Sequence, residues 1–189
     1  MFEFQGQKFN YCDHPHNNTS VNERRVEVPL IGYFLDKYSG KGTVEIGAVS
    51  PYYFEGSHEV YDLTDNHPRS KSARAENIDV SNLNLLSIST LEHCSTPDAF
   101  CSEDDPTMAP AILDQWIKTA KNYLISWPMG YATFLDKHAI ENYDCKFIAR
   151  RPYPSHEWKQ VPLEELTYAD SVYGTFSCAN SVVILSNLF

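Results

Sequence analysis

The sequence predicts an α/β fold built on a mostly parallel sheet, and three observations predict it. Residues 43–47 read as a short buried strand running into a glycine turn. Thr43, Val44 and Ile46 are β-compatible, Gly40 and Gly42 precede them, and Gly47, Ser50 and Pro51 follow. Residues 58–62 read as a second strand that ends on an acid, Asp62. Residues 84–91 form a near-continuous apolar run, the pattern of a parallel strand covered on both faces. A strand, a glycine turn and a strand ending in Asp is how an α/β sheet opens a crevice for a ribose-bearing ligand.

Taken in order, residues 1–20 are polar and irregular and read as a turn or a lid over the site. Cys12, Asp13, His14 and His16 are metal-ligand types, but Pro15 makes their geometry awkward and no matching His/Cys pair follows, so no metal is expected. Residues 19–38 carry Val26, Leu30, Tyr33, Phe34 and Tyr38 at helical spacing, with Ser20 or Asn22 as the cap. Pro29 should kink or break that helix unless it falls in the first turn. At its mouth Glu23 and Arg24 read either as a cap with a surface ion pair or as groups lining the cleft.

After the first two strands, residues 66–72 read as a polar loop and residues 76–80 as a short third strand bearing Asp79. Residues 97–106 are an acidic loop with Glu103, Asp104 and Asp105, by default a solvated charge run. A helix follows through about residue 122, with Ile112, Leu113, Trp116, Ile117 and Ala120 on one stripe. Residues 123–127 form a fifth strand, stopped by Pro128, Met129 and Gly130. A short helix over 134–142, a strand over 145–150 and a closing strand over 180–187 complete the pattern.

The 189 residues suit one domain with a proper core, and 42% hydrophobic with 21% charged residues is ordinary globular composition. A net charge of −10 argues against a nucleic-acid partner and against an anionic membrane surface. No apolar run approaches the roughly 20 residues that span a bilayer, and the first residues lack a signal-peptide pattern, so a cytoplasmic protein is expected. The five scattered cysteines form no C-x-x-C pair and read as reduced thiols.

In open α/β sheets ligand chemistry gathers at the carboxyl ends of the strands, where Gly47, Asp62, Asp79, Glu92 and His93 would all sit. A dinucleotide site needs several glycines so that backbone N–H groups can wrap a pyrophosphate. Gly47 stands alone before Ala48, Val49 and Ser50, a poor phosphate cradle. S-adenosylmethionine carries ribose and adenine without phosphate, and its sulfonium is cationic. One glycine beside Glu45 suits it better than it suits NAD.

With these pieces placed, the chain resembles the class I S-adenosylmethionine-dependent methyltransferases, in particular a group of small bacterial and phage-associated methyltransferase-like proteins. The matching pieces are Asn22-Glu23-Arg24 with Val26-Glu27, Val44-Glu45-Ile46-Gly47, Val60-Tyr61-Asp62 and Ser177-Cys178-Ala179-Asn180. The most specific is Ser87-Ile88-Ser89-Thr90-Leu91-Glu92-His93. The resemblance implies a single Rossmann-like domain over residues 21–189, with about seven strands, the last antiparallel. It implies cofactor across the first four strand ends: Glu45 and Gly47 at the methionine part, Asp62 at the ribose hydroxyls, Asp79 by the adenine, and Ser89 and Thr90 under the sulfonium. Glu92 and His93 would face the acceptor. The glycine-rich loop of the family is here Gly47-Ala48-Val49-Ser50-Pro51, and only about seven residues, 51–57, precede the second strand, too few for a full crossover helix. Either a short loop replaces that helix or the cofactor pocket is degenerate.

Methyl transfer is an in-line displacement, so alignment and exclusion of water are most of the task. His93 is the natural base, with Glu92 orienting it or binding substrate; otherwise His93 is a histidine satisfied at a strand end. Three readings follow in order. The first is a methyltransferase acting on an oxygen or nitrogen of a small molecule. The second is a methyltransferase-like binding or assembly module without catalysis. The third, disfavoured by the missing phosphate glycines, is a nucleotide-dependent oxidoreductase. The residues 153–158, ending in Trp158, form the loop where such an enzyme would contact its acceptor.

Overall fold

The computed structural model describes residues 1–38, 40, 42–94, 105–152, 156–173 and 179–189. Among these, the chain opens with a hairpin, β1 (Phe2–Phe4) and β2 (Gln7–Phe9), followed by helix α1 (Arg24–Tyr38). Strands β3 (Thr43–Ile46), β4 (Glu59–Asp62), β5 (Ser70–Ser72) and β6 (Asn84–Ile88) come next, then α2 (Met108–Thr119), β7 (Asn122–Pro128) and α3 (Thr133–Asn142). The chain ends with β8 (Lys146–Arg150), β9 (Trp158–Val161) and β10 (Ser181–Ser186).

Eight strands form one sheet in the order β5-β4-β3-β6-β7-β10-β8-β9. Strands β5, β4, β3, β6 and β7 pair in parallel, whereas β10 is antiparallel to both β7 and β8, and β9 is antiparallel to β8. Alternate residues of the central strands feed two cores, as the period of two along a strand requires. Leu85, Ile125, Trp127, Phe147 and Val183 pack with Leu113 and Trp116 of α2 and Leu135 of α3. Leu86, Ile88, Leu124, Ile148 and Ile184 pack with Leu30, Ile31 and Phe34 of α1. Both faces of the sheet are therefore covered, which is why β6 reads as a near-continuous apolar run.

Helix α1 runs through Pro29 without ending. Proline lacks the N–H that would bond the Arg25 carbonyl four residues back. That carbonyl instead accepts the Cys12 N–H at 2.9 Å, so the missing donor becomes an anchor for the N-terminal segment. At the helix start the Asn22 side chain accepts the Arg24 N–H at 3.1 Å, the cap expected of it.

Four expectations are corrected. Residues 1–20 are not wholly irregular: Phe2 and Phe4 are buried in the core under α1, and the Gln5 N–H donates to Gln160 at 2.7 Å. Residues 76–80 are not a strand. Ala75–Asn77 is a single 3-10 turn, and the Asp79 carboxylate accepts the Ser81 N–H, so only Val80 of that stretch is buried. The third parallel position belongs to β5, whose polar Ser-Lys-Ser carries no apolar signal because an edge strand needs only backbone pairing on one side. The eighth strand is β9, held by β8 and by Trp158, whose N–H donates to the Tyr11 hydroxyl. The crossover from β3 to β4 contains a 3-10 turn, Ser50–Tyr52, and no α-helix. No helix among the described residues is long and apolar enough to cross a membrane. The acidic residues Glu103 and Asp104, the loop residues 153–155 and Ser177-Cys178 lie outside the described residues.

Candidate functional site

The carboxyl ends of β3, β4, β5, β6 and β7 open on one cleft of about 1030 Å³. It straddles the place where strand order reverses, between β3 and β6, the usual ligand position in open α/β sheets.

The turn after β3 forms one wall. Gly47 has φ +89, and a β-carbon placed on it would lie 1.7 Å from Thr90 Oγ1. Glycine at 47 is therefore required by the approach of the β6 loop as well as by its own backbone. Four consecutive N–H groups of this turn already have acceptors within the protein. Gly47 N–H donates to the Tyr61 carbonyl at 2.8 Å and Ala48 N–H to Asp62 Oδ2 at 2.9 Å. Val49 and Ser50 N–H both donate to Glu45 Oε1, at 3.0 and 2.7 Å.

Glu45 is thus a pin under the turn. It is fully buried, does not line the cleft, and its Oε2 also meets the Ser50 hydroxyl and His58 Nε2, the latter at 2.9 Å. Asp62, at the end of β4, lines the cleft. Its Oδ1 accepts the N–H groups of Thr64 and Asp65, both at 2.8 Å, while Oδ2 carries the single bond from Ala48 and keeps one lone pair for a ligand. Asp65 lines the same wall and accepts the Tyr52 hydroxyl at 2.8 Å. Burial and that carboxylate push Tyr52 up to about 12. His16 from the N-terminal segment stacks on Tyr52 with centroids 4.1 Å apart, so this segment reaches the cleft rim.

The opposite wall is the end of β6 with the mouth of α1. Ser89 holds φ +42, a conformation that costs a non-glycine residue on the order of 1–3 kcal/mol. Its hydroxyl lies between Arg24, 2.5 Å from Nη1, and the Glu27 carboxylate, 3.0 Å from Oε1. Glu27 also accepts the Ser126 hydroxyl of β7 at 2.7 Å and pairs with Arg24, which ties α1 to two strand ends.

Beyond Thr90 the chain makes a 3-10 turn, Leu91–His93, that brings Glu92 and His93 to the cleft. Glu92 has no exposed surface, and among the described residues no side chain donates a hydrogen bond to its carboxyl oxygens. Burial first, then the nearby Glu27 and Glu23, push its carboxyl well above the ordinary carboxylate range, against the pull of its own backbone N–H and of Arg24. His93 Nε2 stands 3.7 Å from Glu92 Oε1, and the His93 ring meets Tyr131 edge-on at 4.8 Å. Tyr131 in turn meets Tyr173 at 4.8 Å, and both tyrosines line the cleft.

Of the residues singled out in the sequence, the fold brings Gly47, Asp62, Ser89, Thr90, Glu92 and His93 to this cleft, with Glu23 and Arg24. It leaves two elsewhere: Glu45 behind the wall, and Asp79 exposed on the surface turn at Ser81. Asp65, Tyr131 and Tyr173 were missed, and Glu27 was named in a matching piece but given no role. Glu27 could have been noticed as an acid on the apolar side of α1, next to Val26 and Leu30; the other three carry no local signal. Among the described residues no three His, Cys, Asp or Glu side chains come together as metal ligands; His14 and His16 pack against Tyr53 and Tyr52 instead. A comparison with protein-family models, with curated proteins and with solved structures found no match for this chain.

Proposed function

We propose that this protein is an S-adenosylmethionine-dependent methyltransferase that acts on an oxygen or nitrogen of a small molecule. The observation that carries the reading is the closed turn after β3. Its four N–H groups are bonded within the protein, so it offers no cradle for a pyrophosphate, while the cleft beside it is large enough for an adenosyl group. That combination suits a nucleoside without phosphate and disfavours a dinucleotide. The last strand, antiparallel to both neighbours, agrees with the resemblance read from the sequence.

The residues present fit the group. Asp62 Oδ2 can accept a ribose hydroxyl, and Glu23 and Glu92 are acids on the opposite wall of the cleft. When bound, S-adenosylmethionine supplies the electrophilic methyl group. The chain's own part is alignment, exclusion of water by the two walls, and removal of a proton by His93, which lies at the acceptor end of the cleft.

Calorimetric titration with S-adenosylmethionine and, separately, with NADH tests the proposal. Binding of the first alone, lost in Asp62→Ala protein that still melts cooperatively, is the expected result. Binding of NADH, or of neither, overturns it.

A further inference from the structure

We propose that Glu27 is a positioning residue of the cleft. Through the Ser89 hydroxyl it holds the chain leaving β6 in the left-handed turn that presents Thr90, Glu92 and His93 to a ligand. This rests on the methyltransferase reading for the identity of that ligand, but not for the arrangement itself.

Two costly features meet at this point. The first is the backbone of Ser89, whose φ of +42 is a conformation that a serine adopts only under constraint. The second is the Glu27 carboxyl, which has no exposed surface, does not line the cleft and forms an ion pair with Arg24. A buried ion pair contributes little net stability, and an apolar replacement of similar volume is often neutral or better. Neither feature is needed to build the sheet, since β6 pairs with β7 through its backbone up to Ile88. Yet the two touch. Ser89 Oγ accepts from Arg24 Nη1 at 2.5 Å and donates to Glu27 Oε1 at 3.0 Å, so the hydroxyl is used in both directions. Backbone strain persists only where the surroundings enforce it, and it gathers at ligand clamps and active sites.

What the strain secures is the course of the chain. The Ser89 N–H still bonds the Ser126 carbonyl of β7 at 2.7 Å, so the chain changes direction at Ser89 itself. Thr90 follows, with its hydroxyl in the space left by Gly47 and its carbonyl accepting the His93 N–H at 3.0 Å. That bond closes the turn Leu91–His93, which carries Glu92 and His93 to the cleft. Glu27 is anchored apart from this loop, by Arg24 of its own helix and by the Ser126 hydroxyl at 2.7 Å. Support therefore runs from α1 through Glu27 to Ser89, and from Ser89 to the cleft wall.

Ser89→Gly removes the hydroxyl and relieves the backbone, so it separates position from stability. Two-dimensional NMR of the full chain reads the amides of residues 90–93 and the His93 ring, and calorimetry reads S-adenosylhomocysteine binding. Ser89→Gly should still melt cooperatively, yet shift those signals and bind S-adenosylhomocysteine about tenfold more weakly. Glu27→Gln, which turns an NH₂ group toward Arg24 or toward the serines, should do the same. Combining the two should add little further, because both break one connection. Ser126→Ala removes a bond from Glu27 without touching the Ser89 hydroxyl and should leave the signals in place. Unmoved signals in Ser89→Gly overturn the proposal, as do equal shifts in Ser126→Ala. So does a loss of affinity that follows melting temperature across the three single variants, the pattern of a merely structural role. Shifted signals in a protein whose wild type binds no S-adenosylhomocysteine uphold the positioning of the turn and remove the methyltransferase reading; binding with unmoved signals removes the positioning role alone.

Discussion

The hydroxyl of Thr90 lies where a β-carbon on Gly47 would have to be, 1.7 Å from that position, so the turn after β3 and the loop after β6 meet through the absence of a side chain. The two residues are distant in the chain and flank the point where strand order reverses. Both residues line the cleft.

Gly47→Ala should therefore destabilise the protein twice over, by the clash with Thr90 and by the left-handed backbone. A loss of about 2–4 kcal/mol in urea unfolding is expected. Adding Thr90→Gly should recover the steric part and leave the backbone part, a non-additivity that a double-mutant cycle reads directly.

Glu45→Gln tests the pin beneath the turn. The amide keeps one acceptor oxygen for Val49 and Ser50 but presents an NH₂ group toward the Ser50 hydroxyl and His58. Stability should fall by about 1–3 kcal/mol. Proton exchange at the Val49 and Ser50 amides should quicken, and that exchange is the check.

Pro29→Ala restores an N–H aimed at the Arg25 carbonyl, where the Cys12 N–H now sits at 2.9 Å. Proline inside a helix costs about 3 kcal/mol, so the variant should be more stable than wild type by up to about that amount. The gain comes with competition for one acceptor. Amide exchange at Cys12 should speed up while exchange in the rest of α1 slows.

The Glu92 carboxyl carries a pH signature. Burial raises its pKa in the folded protein above the unfolded value, so between the two values the folded chain holds a proton that the unfolded chain has released. Stability from this group is complete below the unfolded carboxylate range and declines as pH rises from about 4.3, by up to about 1.4 kcal/mol per pH unit for one proton. Glu92→Gln should remove that decline: equal to wild type near pH 4, more stable near pH 7. Urea unfolding across that range would refute the assignment if the two proteins stayed parallel.

Hydrophobic period and turn residues are local, and what they encode was legible. The apolar run at β6, the stripe on α2, the Asn22 cap and the strands ending at Gly47 and Asp62 all stand where the sequence places them. The convergence of Gly47, Asp62, Ser89, Thr90, Glu92 and His93 was legible too, because parallel strands present their carboxyl ends on one side. Only the tertiary structure decided what the polar side chains do. Glu45 pairs with Val60, two residues before Asp62, so the two acids share a face of the sheet; Glu45 lies within its strand beneath the turn and became a buried pin, whereas Asp62 stands at the carboxyl end of its strand and became a cleft wall. Ser-Lys-Ser at β5 joined the sheet through its backbone, and Glu27 met Ser89 and Ser126 because α1 packs across β6 and β7. Such pairings join residues far apart in the chain, and no pattern within one segment encodes a partner in another.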